Sequence, residues 1–201
     1  MGKKAVDVVL LAEDTMVDKA IEANRKLIGQ FGKKIVLNKE NCLPHISLAM
    51  GCVDEGKIDA AGGVLKRIAD RTSVRELTVI GIWITTNSVG EKVSAFGIEK
   101  TKELQLLHEE VMEKLAAYFS YDVTKEMIYD SGEIGESTLL WIKGYREKSS
   151  FANFSPHITI GYGQMENALL PIEFMASRLA LCHLGNHCTC RDVLVSVELA
   201  T

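Results

Sequence analysis

The sequence predicts an α+β fold made of two similar lobes. Three observations lead there. Strand-like and helix-like hydrophobic periods alternate along the chain; the stretch PHISLAMG at 44–51 returns as PHITIGYG at 156–163; and the order strand, helix, PHI-strand occurs once in each half.

The elements follow in order. AVDVVLLA (5–12) is an apolar run suited to a buried strand, and Thr15 with Asp18 reads as a capping signal for a helix. That helix carries Val17, Ala20, Ile21, Asn24, Leu27 and Ile28 on one face, and Gly29 and Gly32 punctuate its end. After PHISLAMG, the spacing of Ile58, Ala61, Leu65 and Ile68 predicts a second helix, with Lys57, Lys66 and Arg67 outward. ELTVIGIWITT (76–86) predicts a long strand, NSVG a turn and EKVSAFGI (91–98) its hairpin partner. A third helix covers about 101–119, with Leu104, Leu107, Val111, Leu115 and Tyr118 inward and His108 beside that stripe in a structural role. Residues 120–155 read as irregular and polar, with a strand expected at STLLWIKGY (137–145). SRLALCHL (177–184), the turn GN and CTCRDVLVSVEL (188–199) predict a closing hairpin. No low-complexity linker separates domains. The expected organisation is therefore one bilobal domain over 1–201, lobe one spanning about 1–88 plus the strand 188–199 and lobe two about 89–187.

Composition narrows the function classes. With a net charge of −4 and a pI near 5.8, no global positive field draws long nucleic acid, so any nucleic-acid partner is expected to be short. No stretch is long enough to span a bilayer, and no membrane partner is expected. The N-terminal apolar run is short, lacks a small-residue cleavage site, and has Val6 where a myristoylation signal wants Ser or Thr, so it reads as a first strand. Five cysteines without the even spacing of a disulfide framework predict a reducing cytoplasm.

The repeated motif carries the chemistry. Side chains alternate along a strand, so His45 and Ser47 share one face opposite Ile46 and Leu48, while His157 and Thr159 share a face opposite Ile158 and Ile160. Pro44 and Pro156 stand at strand starts, where a missing N–H is tolerated. Two such strands side by side would aim two imidazoles and two hydroxyls at one point. That set suits phosphodiester chemistry: one neutral histidine takes a proton from the attacking oxygen and the other, protonated, gives one to the leaving oxygen. Ser47 and Thr159 would donate hydrogen bonds to the nonbridging phosphate oxygens. This scheme needs neither metal nor cofactor.

With two HxS or HxT motifs, each on a strand and about one lobe apart, the chain resembles the two-histidine phosphoesterase superfamily, which includes 2′-5′ RNA ligases and cyclic phosphodiesterases. The resemblance spans the first strand and helix, PHISL, the ELTVIGIWI to KVSAFGI hairpin, the following helix, PHITI and the terminal hairpin. It implies two pseudo-twofold-related lobes of antiparallel sheet with helices outside and the motifs facing a central cleft. It further implies His45 and His157 as a metal-independent general acid/base pair, with Ser47 and Thr159 on phosphate. The substrate class so implied is a 2′,3′-cyclic phosphate or 2′-5′ linkage of a small nucleotide or RNA terminus, with ligation as the reverse. Many ligase-like members place a basic residue shortly after the second motif, where this chain has Gly161 and Tyr162, and 120–155 is longer than a minimal second lobe requires.

Further candidates for substrate contact are Tyr162, by stacking, and Lys143, Arg146 and Lys148, by phosphate charge. Two other function classes compete. One is a noncatalytic nucleotide or RNA-end binder; the other is a zinc or redox sensor on CHLGNHCTC, with Cys182, His183, His187, Cys188 and Cys190.

Overall fold

A computed structural model describes residues 2–87, 90–130, 132–166 and 169–199. The chain folds as expected into an α+β structure, with seven strands, all antiparallel to their neighbours, among the described residues. β1 (Lys3–Ala12) leads into α1 (Asp14–Phe31), β2 (Ile46–Asp54) into α2 (Ile58–Ala69), and β3 (Glu76–Thr86) pairs with β4 (Lys92–Ile98). α3 (Lys102–Leu115), α4 (Glu136–Lys148), β5 (His157–Tyr162), β6 (Ile172–Leu184) and β7 (Cys190–Glu198) complete the chain. The NSVG turn falls partly outside the described residues.

The strand order β1-β2-β5-β4-β3-β6-β7, with an added β1–β6 pairing, makes two halves that share β6. Ile172–Met175 of β6 pair with β3, whereas Ala176–His183 pair with β1. The switch occurs where the strand bulges at Ser177, whose hydroxyl donates to the carbonyls of Leu11 and Ala12. On the other side the halves meet at a single pairing, Ile46 with Ile158. Partners therefore change inside β6 and not at residue 88: β3 lies with β4, and the second half of β6 lies with β1 and β7.

α1 backs the second half. Met16, Ala20, Ile21, Ala23 and Leu27 are buried, and the helix packs on β5. Its first turn is entered through Glu13, whose side chain accepts from Thr15; the expected Thr15–Asp18 cap does not form. α2 and α3 back the first half, with Gly62 against Val195 and Gly51 so close to the Phe119 ring that a side chain would not fit.

Two expectations are corrected. Residues 137–145 lie in α4, not a strand: the helical spacing of Thr138, Ile142 and Tyr145 buries one stripe while Leu140 and Trp141 stay exposed. The cysteines are not all thiols either. Cys182 and Cys190 are joined in a disulfide, their Cα atoms 5.5 Å apart across the β6–β7 hairpin. No helix among the described residues is long and apolar enough to cross a membrane.

Candidate active site

The Ile46–Ile158 pairing joins the two copies of the motif. Continued by one residue each way, that antiparallel register sets His45 opposite Thr159 and Ser47 opposite His157. Ile46 and Ile158 are buried in the core beneath, so the four polar side chains share the other face. The structure thus brings together all four residues that the motif predicted.

Both imidazoles are held the same way. His45 Nδ1 lies 2.7 Å from the Leu43 carbonyl and His157 Nδ1 2.8 Å from that of Ser155. A carbonyl only accepts, so each ring carries its proton on Nδ1 and leaves Nε2 for proton transfer. The repeated Pro-His step supports this arrangement: each histidine reaches back two residues to the strand lead-in, anchored in turn by Leu43 N–H donating to Cys190 O and Ile98 N–H donating to Pro156 O. Burial pushes both histidines below their usual range, His45 to about 4, with a charge on His157 pushing the same way.

The two hydroxyls differ. The Thr159 hydroxyl has no hydrogen-bond partner among the described residues, while Ser47 Oγ lies 2.6 Å from Asp7 Oδ2. Asp7, on β1, is completely buried, and its Oδ2 also lies 3.7 Å from His45 Nε2. Tyr145 of α4 and Cys188 are its further neighbours. The long 120–155 segment thus has a role: α4 packs on β2 and its N-terminus is tied through Thr138 to Asn186.

A bulge in β5 sets the position of Tyr162. Thr159 pairs with Ala95 and Gly161 with Ser94, so Ile160 is the extra residue and Tyr162, paired with Val93, returns to the face of His157 and Thr159. Gly161 is required there, with φ of +136° and the Asn24 amide 2.9 Å from where a Cβ would lie. The Tyr162 hydroxyl meets His187 Nδ1 at 3.0 Å, and Lys34 lies 4.9 Å from its ring centre. Lys143, Arg146 and Lys148 are exposed on α4, and the guanidinium of Arg146 lies by Phe151 and Tyr121, not by either motif.

Three residues on the motif face escaped the sequence reading. Trp83 stands 6.4 Å from His157, ring centre to ring centre, its indole laid over Gly97, which has no side chain to prevent it. Asp7 is the second. The third is Arg178, which pairs with Leu11 next to the Leu10–Ile46 step. That puts it two strand spacings, about 10 Å, from His45. It makes no ion pair with any described residue.

Of the remaining histidines, His108 has a structural role. His108 Nδ1 donates to Leu48 O at 2.7 Å, its Nε2 accepts from Phe151 N–H at 2.7 Å, and the ring stacks on Phe154. It thereby ties the end of the first motif to the approach of the second. Cys182 and Cys190 are consumed in the disulfide, and no group of three or more His, Cys, Asp or Glu among the described residues is placed to hold a metal ion. A cavity of about 510 Å³ reaches His187, Lys34, Asp130 and Arg191, but none of the four motif residues lines it.

No protein-family model and no curated protein matches the chain. Solved structures do. TT0787 of Thermus thermophilus is 15% identical, with a TM-score of 0.56 and 97% of each chain covered. LigT of E. coli in its apo form is 13% identical, with a TM-score of 0.51 and 100% of each chain covered. A further solved phosphoesterase is 12% identical with a TM-score of 0.49, over 100% of each chain. At these identities the likeness is one of fold.

Proposed function

We propose that this protein is a two-histidine phosphodiesterase that opens 2′,3′-cyclic phosphates or cleaves 2′-5′ linkages of small nucleotides or RNA ends, without a metal, with ligation as the reverse reaction. The observation that carries the reading is the duplicated histidine geometry: two imidazoles on paired strands, each fixed through Nδ1 to its own backbone, each with Nε2 free. A binding module has no use for two matched proton-transfer nitrogens. The fold shared with LigT supports the same reading.

The reaction divides between the pair. One neutral Nε2 takes a proton from water as the water oxygen bonds to phosphorus; the other histidine, protonated, gives its Nε2 proton to the ester oxygen as the P–O bond breaks. The proton count balances, and the reverse direction exchanges the roles. Thr159 donates to a nonbridging oxygen, where negative charge accumulates. Burial keeps both histidines neutral in the free protein near neutral pH. The entering phosphodiester anion then favours protonation of one of them. Trp83 beside His157 offers a face for a base, and Arg178 offers a cation for a neighbouring phosphate.

The test is hydrolysis of the four nucleoside 2′,3′-cyclic monophosphates and a short 2′-5′-linked oligonucleotide, with and without EDTA. Activity should survive EDTA and fall about a hundredfold to ten-thousandfold in both His45→Ala and His157→Ala, the usual range for a lost general acid or base. Activity unchanged in either variant would refute the pair.

A further inference from the structure

Asp7 is a charged residue type at the centre of an apolar strand, completely buried, beside one histidine and one hydroxyl of the site. Every element packed around it matters for its protonation. β2 presents Ser47 and His45; β6 presents Cys182, cross-strand from Asp7 and locked in the disulfide; α4 presents the Tyr145 phenol, and the 186–188 turn the Cys188 thiol. No lysine or arginine among the described residues is placed to neutralise it. Its Oδ1 is buried with no hydrogen-bond partner among them.

An ionised Asp7 would work against the chemistry in two ways. Its Oδ2 would hold the Ser47 proton, leaving Ser47 nothing to donate to phosphate. It would also draw a protonated His45 Nε2 toward itself and away from the substrate oxygen. A neutral carboxyl reverses both effects at the same 2.6 Å separation, because O–H···O bonds form in either direction.

Resting on the two-histidine reading, we propose that Asp7 is a positioning residue that works as a neutral carboxylic acid: its O–H donates to Ser47 Oγ, which turns the Ser47 proton toward the phosphate and leaves His45 Nε2 free. Burial pushes the Asp7 carboxyl well above the usual carboxylate range, outweighing the Ser47 hydrogen bond and the nearby Ala49 backbone, which pull it down. Asp7 thereby stores a proton beside the site without placing a negative charge against an anionic substrate.

Infrared difference spectra of 13C-aspartate-labelled wild type against Asp7→Asn, at neutral pH, read the protonation state without any need for activity. A protonated-carboxyl band that vanishes in D7N is expected; its absence from the wild type overturns the proposal. Activity on a 2′,3′-cyclic nucleotide supplies the second arm. D7N, whose amide N–H can donate to Ser47, should retain activity within about threefold, since one neutral hydrogen bond replaces another. Asp7→Ala should lose about tenfold, and Asp7→Ala combined with Ser47→Ala should be no worse than Ser47→Ala alone, because Asp7 acts through Ser47. Circular dichroism establishes that each variant folds. D7N as damaged as D7A, or additive losses in the double variant, would overturn the role. If His45→Ala and His157→Ala left activity intact, the two-histidine reading would fail while the infrared band still reported Asp7.

Discussion

Replacing Asn24 with alanine should be among the most damaging single changes outside the motifs. Asn24 sits on the buried face of α1 and makes three hydrogen bonds: Nδ2 donates to Ile35 O at 3.0 Å and to Ile160 O at 2.8 Å, and Oδ1 accepts from Leu37 N–H at 3.0 Å. All four residues are buried. Alanine leaves two carbonyls and one amide unpartnered where water does not reach. At about 1–2 kcal/mol for each, the loss comes to roughly 3–6 kcal/mol, a large part of the 5–15 kcal/mol that typically holds a domain together. Urea unfolding followed by circular dichroism measures it. With a slope of about 2 kcal/mol per M, the midpoint should drop by roughly 1.5–3 M. Asn24→Asp should be no better, since it keeps the acceptor for Leu37 but replaces the one nitrogen that donates to both carbonyls with an oxygen. A loss below about 1 kcal/mol for N24A would refute the reasoning, because it would mean that the three partners find replacements. The consequence reaches the site. Ile160 is the bulged residue of β5, and the bulge puts Tyr162 on the face of His157.

Three further outcomes are expected. Gly97→Ala would drive its Cβ into the Trp83 indole, so the ring must leave its place beside His157; kcat/KM for cyclic nucleotides should fall about tenfold to a hundredfold, as misplacement near reacting groups does, with a small change in Tm. Arg178→Ala should raise KM about tenfold for a 2′-5′-linked oligonucleotide, the scale of one charged hydrogen bond, but scarcely for a mononucleotide, and added salt should erase the difference. The rate against pH should be bell-shaped, since one histidine must be neutral and the other charged. Because both histidines are pushed down, His45 to about 4, the protonated partner becomes scarce as pH rises, so kcat/KM should peak on the acid side of the ordinary histidine value; a profile flat from pH 5 to 9 would count against the pair.

The motifs were legible because a strand's two-residue period is insensitive to the rest of the fold: it set His45 with Ser47 and His157 with Thr159 whatever their neighbours. The same rule misplaces Tyr162 on the Ile158 and Ile160 face, since one extra residue at Ile160 reverses every side chain beyond it. Gly161 was the local sign of that bulge. At 137–145, the run Leu139–Ile142 looks like a strand, and only the buried triplet Thr138, Ile142 and Tyr145 reveals the helical period. Asp7 was hidden by its company: AVDVVLLA reads as apolar, and the one carboxylate in it was the signal. The Cys182–Cys190 link depends on two β6–β7 register shifts that no spacing rule encodes.

Duplication and divergence act on different parts of this site. The backbone is duplicated, down to the carbonyl two residues before each histidine that takes its Nδ1 proton. The surroundings are not: His45 and Ser47 face a buried carboxyl, whereas His157 neighbours an indole and Thr159 is unengaged among the described residues. Interchangeable acid and base roles, all that the repeated PHI[ST] phrase supports, are therefore not what the folded protein presents. The two limbs of the pH profile belong to groups in different environments. With Asp7 neutral, Asp7→Asn should leave both limbs where they are, whereas an ionised Asp7 would have held the limb belonging to His45 up; a limb that falls in the variant would count against the neutral carboxyl.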